Sequence, residues 1–149
     1  MFHQDGDDLA VCELDISSAI YKFKFLPLNW FLTKEVIDEH SIGPGDDVFM
    51  VGRFVDHAGH QHNTHRVRFG HISMMPGEPI YNRERGMYQI SFLIEMFSHG
   101  GFSGSPVFVH IPPGSQRPHE GITAYREVPW LLGVSRGHFR TYEQVLLND

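Results

Sequence analysis

A chain of 149 residues, 41% hydrophobic and 20% charged, is long enough for one domain with a core and too apolar for a disordered segment. Its formal charge of −6, with no basic run or stripe, argues against nucleic acid as a partner. No apolar run is long enough to span a bilayer, and the single cysteine, Cys12, excludes an internal disulfide.

The first eight residues, Met-Phe-His-Gln-Asp-Gly-Asp-Asp, are acidic and hold no apolar stretch of the kind that leads a secreted chain. With the scarcity of cysteine, this points to a reducing, cytoplasmic setting. Leu9 to Leu14 read as a short strand, with Cys12 as a small buried hydrophobe in it. Aromatic and apolar residues around Pro27 follow, read as core. Thr33 to His40 predict a short helix with Thr33 as its N-cap and Gly43 as its stop. Gly43-Pro44-Gly45-Asp46-Asp47 is a turn.

Beyond that turn, strands dominate. Val48 to Val51 form an apolar run, residues 56–65 a polar loop, and Val67 to Ile72 a strand with a bulge at its glycine. Residues 76–86 read as loop, Met87 to Met96 as strand, and Met74-Met75 as core. Val107 to Ile111 is another strand, closed by two prolines and a glycine. A long polar loop over 112–129 leads to a strand at Trp130 to Val134, and Glu143 to Leu147 close the fold. Short strands separated by turns, with little helix, predict an all-β sandwich or barrel.

One segment carries chemistry: Gly101-Phe102-Ser103-Gly104-Ser105-Pro106. A serine nucleophile needs an exposed hydroxyl on a tight turn and backbone N–H groups aimed at one developing oxyanion. Glycines on both sides of Ser103 let the backbone approach a substrate carbonyl, so the N–H groups of Gly101 and Ser103 can converge on one oxygen. An ordinary Gly/Ser turn has the same composition, so this segment alone is not decisive.

The wider pattern resembles the chymotrypsin/trypsin-like serine peptidases, above all their disulfide-free bacterial branch. In that family the orienting acid precedes a D-[ILV]-A-[LV] strand, matched by Asp8-Leu9-Ala10-Val11. The nucleophile sits in G-x-S-G-[GS]-P, matched by Gly101 to Pro106. A GD-x-V-x-x-x-G strand is matched by Gly45 to Gly52, and an R-x-G-x-I-S stretch by Arg68 to Ser73. The matches fall in the family's order over nearly the whole chain. The resemblance implies a double β-barrel: residues 1–44 as a remnant of the N-terminal barrel with a linker, and 45–149 as the C-terminal barrel. It implies peptide-bond hydrolysis through an acyl-enzyme, with Ser103 as nucleophile, Asp8 as orienting acid, and Gly101 and Ser103 as oxyanion donors. Ser135, Arg136 and Gly137 would pair with the backbone of a peptide or protein substrate. No cofactor, metal, membrane or nucleic acid is implied.

The departures are as informative. The base of such a site is a histidine about 45 residues before the acid, yet only seven residues precede Asp8 here. His3 is too close to Asp8 to occupy a separate loop. The expectation is therefore a peptidase that lacks its base, completed by a missing N-terminal segment. The alternative is a non-catalytic pseudopeptidase or peptide-binding module. Phe102 replaces the acid that pairs with a freed N-terminus in activated zymogens. The rival G-x-S-x-G elbow of α/β-hydrolases fits poorly, because Ser105 replaces its last glycine and Pro106 leads into a strand.

His57, His60, His62 and His65 form a second cluster, four histidines within nine residues. Without a cysteine or a helical pair beside them, they read as a solvated loop rather than a metal site.

Overall fold

The computed structural model describes residues 9–53, 65–83, 86–97, 101–112 and 129–137. Among them lie seven strands: β1 (Asp47–Arg53), β2 (His65–Met74), β3 (Ile80–Asn82), β4 (Met87–Gln89), β5 (Leu93–Met96), β6 (Pro106–Val109) and β7 (Trp130–Val134). One 3-10 turn (Leu28–Trp30) and one α-helix, α1 (Lys34–Glu39), precede them. Five strands form an antiparallel sheet in the order β5-β2-β1-β6-β7, and β3 and β4 form a separate hairpin. The regular structure among the described residues is mostly strand in antiparallel sheets, compatible with the expected all-β class. Among the described residues neither sheet closes into a barrel.

Strand periodicity builds the core. Val48 and Met50 of β1, Ile72 of β2, Val107 and Val109 of β6 and Trp130 of β7 are all buried on one face of the sheet. Ile42 and Phe102, from outside the strands, complete that cluster, and Leu32, Val36, Ile37 and Met75 pack against it. The opposite face carries an aromatic row. Phe49 lies 5.3 Å from Phe108 and 6.3 Å from Phe69, centroid to centroid, as cross-strand register requires.

The helix forms where the sequence places it. Thr33 Oγ1 accepts from the Val36 N–H at 3.4 Å, capping the first turn. A backbone N–H and then the Thr33 hydroxyl hold the Glu35 carboxyl below its ordinary range. A depressed folded pKa stabilises above the unfolded value and is lost as pH falls through the folded one; full exposure leaves the contribution slight. The helix ends at Glu39 rather than running on to Gly43, because His40 and then Ser41, with φ 49°, leave the helical region.

The turn at Gly43 leads into β1 and is bonded to β2. Pro44 occupies its second position and Gly45, with φ 95°, its third, while the Asp46 N–H bonds the Gly43 carbonyl at 3.1 Å. Asp46 Oδ2 accepts from the Gly43 N–H at 2.8 Å. The Gly45 N–H donates to the Ile72 carbonyl at 2.7 Å, and the Ile72 N–H to the Asp46 carbonyl at 3.0 Å. The turn is thereby clamped to β2.

Several expectations are corrected. Residues 9–14 form no strand beyond a single bridge at Ala10, and Cys12 is exposed rather than buried. Apolar sequence makes a strand only where a neighbour takes up its hydrogen bonds. Tyr21, Phe23, Phe25 and Phe31 are exposed rather than core. The irregularity in β2 falls at Ile72–Met74, opposite β5, and not at Gly70. Residues 76–86 contain β3, and the strand expected at 87–96 divides into β4 and β5.

Exposed apolar side chains crowd residues 9–31, with Phe25 80% and Leu28 84% exposed. Patches of that size mark surfaces that another element covers. The purified chain is expected to bind a hydrophobic dye or to self-associate. A monodisperse monomer with a sharp melt and no dye binding would contradict this.

Candidate functional site

The serine segment forms a tight turn at the start of β6. The Ser105 N–H bonds the Phe102 carbonyl at 3.0 Å, so Phe102 to Ser105 make a β-turn with Ser103 at its second position. Gly104 takes the third position with φ 84°, where a side chain would be strained, and Gly101 precedes the turn with φ 95°. Ser103 is exposed while Phe102 and Ser105 on either side are buried. The sequence therefore presents one hydroxyl at a corner anchored from both sides. Among the described residues no carbonyl takes up the N–H of Gly101 or of Ser103.

Ser135 fastens this turn to the next strand. Its carbonyl accepts from the Gly104 N–H at 2.6 Å, and its N–H donates to the Ser105 carbonyl at 2.8 Å. These bonds extend the β6–β7 ladder beyond the Pro106–Val134 pair. Both backbone groups of Ser135 thus face the serine turn. In an antiparallel ladder successive residues point their groups to opposite sides, so those of Val134 and Arg136 point to the outer edge of β7. Nearer its start, that edge is covered by residues 31–32: the Leu32 N–H bonds the Leu131 carbonyl at 2.9 Å.

Phe102 packs into β1 and β2. Its ring and the Ser105 hydroxyl occupy the space that a Cβ on Gly52 would fill. The Arg68 guanidinium lies over the same ring, 5.4 Å from its centroid. Arg68 and Gly52 are contributors that motif reading did not single out as site residues. Both stand inside quoted motifs, but only cross-strand register brings them to the serine turn.

Asp8, the expected orienting acid, lies outside the described residues, as do His3, His57, His60 and His62. Four histidines are described, and none bonds Ser103. His71 Nδ1 sits 3.0 Å from Asp47 Oδ1, and His40 packs against the Trp130 ring at 4.8 Å. His65 pairs with Arg53 across β1 and β2. The His110 N–H bonds the Asp47 carbonyl at 2.9 Å. The His71–Asp47 pair stands five residues along β1 from Gly52, roughly 17 Å at strand rise, and so at the far end from the serine turn. A depression of about 320 Å³, lined by Phe49, Phe69, His71 and His110 among others, lies at that far end too.

Among the described residues no three His, Cys, Asp or Glu side chains converge to hold a metal. Zinc is expected to leave the melting temperature unchanged, since the sequence of the His57–His65 run, most of it outside the described residues, reads as weak ligands rather than a metal site. A large shift abolished by His60→Ala with His62→Ala would overturn that expectation. Any such binding should fade below about pH 6, where imidazole protonates. No helix among the described residues is long and apolar enough to cross a membrane.

A scan of protein-family models, a search of curated proteins and a search of solved structures each found no match to this chain.

Proposed function

We propose that this chain carries the nucleophile-bearing barrel of a chymotrypsin-type serine peptidase and serves peptide-bond hydrolysis through an acyl-enzyme. The observation that carries the reading is the turn itself: an exposed Ser103 at the corner of a β-turn, flanked by positive-φ glycines and tied through Gly104 and Ser105 to Ser135. Ser103 would attack the carbonyl, and the N–H groups of Gly101 and Ser103 would hold the oxyanion. A peptide would add itself along the edge of residues 135–137, using the outward backbone groups on either side of Ser135. Asp8 would orient the histidine base. The antiparallel five-stranded sheet that carries the turn supports this reading.

A second reading is a peptide-binding module without catalysis. Both readings leave Ser103 Oγ without a hydrogen-bond partner among the described residues, so reactivity has to separate them. A fluorophosphonate probe separates the two. The chain alone should label slowly, because a serine without a base stays protonated. Supplying a histidine-bearing barrel half, fused or in trans, should make labelling at Ser103 fast and stoichiometric. Peptide binding without any labelling would leave the binding module standing and remove the peptidase.

A further inference from the structure

The outer face of the sheet carries a row of acids and histidines beside its aromatic row. His71 lies opposite Asp47 of β1 and opposite Glu95 of β5. The pairing of Val48 with Val109 puts His110, the residue after β6, opposite Asp47, and the His110 N–H bonds the Asp47 carbonyl at 2.9 Å. Directly opposed residues share a face. In the strand order β5-β2-β1-β6 the row therefore runs Glu95, His71, Asp47, His110: acid, base, acid, base. All four are exposed, and the His71–Asp47 contact still leaves those side chains 62% and 50% open to a further partner. Two residues along the strands lies the aromatic row of Phe69, Phe49 and Phe108. Phe97 follows two residues after Glu95, and Phe69 and Phe97 are each 75% exposed.

An alternating row has a property that a uniform row lacks: reversed end to end, it complements itself. A two-fold axis between two such faces, parallel to the strands, lays each row on its own copy in reversed order. His71 then faces Asp47 of the second copy, and Glu95 faces His110 of the second copy. The same axis stacks the aromatic rows, with Phe69 over Phe49 of the second copy. The depression of about 320 Å³ is lined by Phe49 and His110 among others, so the protruding Phe69 ring meets a recess. Sheets pack face to face roughly 10 Å apart with their strands within about 30°. That crossing keeps the pairs nearest the axis aligned, so His71, Asp47, Phe69 and Phe49 carry the contact.

We propose that this face is a homodimer interface, in which two copies pack sheet on sheet about a two-fold axis parallel to β1 and β2. An exposed aromatic row supplies the apolar area, and acid–base pairing fixes the register. The net charge of −6 opposes association at large, which is why complementarity at the contact matters. The proposal stands independently of the peptidase reading.

Sedimentation equilibrium of the full chain over a concentration series tests it. The face is small for an interface, so a reversible monomer–dimer equilibrium with a dissociation constant in the micromolar range is expected. Phe69→Ser should weaken dimerisation by about tenfold or more. Asp47→His should do the same, because each His71 then faces a histidine. The double exchange, Asp47→His with His71→Asp, restores an alternating row and should return the constant to within about threefold of the parent. Phe25→Ser with Leu28→Ser, in the segment before the sheet, should leave it unchanged. Melts check each fold, and Glu95→Lys, which turns a cation toward His110 of the second copy, replaces Phe69→Ser if that variant does not fold. A monomer at every concentration, a dimer indifferent to Phe69→Ser and Asp47→His, or a dimer lost with Phe25 and Leu28 overturns the proposal. A folded double exchange that stays monomeric overturns the two-fold arrangement and the proposal with it.

Discussion

Ser103→Ala is expected to abolish covalent labelling and hydrolysis in the base-complemented protein while leaving the melt unchanged. The hydroxyl is exposed and bonds nothing among the described residues, so its removal should move stability by less than about 0.5 kcal/mol. Asp8→Asn should keep the fold but lower turnover by about four orders of magnitude, because an amide favours the wrong tautomer of the histidine it faces. The measurement is kcat in both variants beside a labelling time course. Loss of activity in Asp7→Asn with Asp8→Asn unaffected would move the acid by one residue and keep the family reading. Fast stoichiometric labelling of the unsupplemented chain would show that one of its own histidines serves as base.

Gly70→Ala should be the most destabilising single methyl in the sheet. A Cβ there would overlap the backbone carbonyl of Glu95 and the side chain of Met96, both on β5. Side-chain rotation cannot relieve contact with a backbone atom, so β2 and β5 would have to separate. Overpacking of this kind costs about 3 kcal/mol, which lowers the melting temperature by roughly 10 °C in a domain of this size. Gly133→Ala, with no heavy atom within 4 Å, is the matched control and should be neutral. Equal melts for the two variants would show that β5 does not pair with β2 in this register.

The residues that form β1, β6 and β7 announce themselves through apolar runs bounded by Gly and Pro, and the Thr33 cap and the Gly43 turn are local devices. Each depends on a few neighbours in sequence, so each was legible without coordinates. The Ser103 corner belongs with them, since two glycines and a proline already dictate a tight turn into a strand. Residues 9–31 were not legible in this way. Their composition is that of a core, and composition says nothing about whether a neighbour exists to bury it; in the structure Phe25 and Leu28 face outward. Nor could spacing place Arg68 over Phe102, because 34 positions separate them and contact arises only through the pairing of β1 with β2 and the void at Gly52. Motif and turn chemistry thus determined which hydroxyl stands exposed at the corner. Tertiary pairing alone decided which charge lies over the Phe102 ring beside it, because cross-strand register is set by hydrogen bonds between segments distant in the chain.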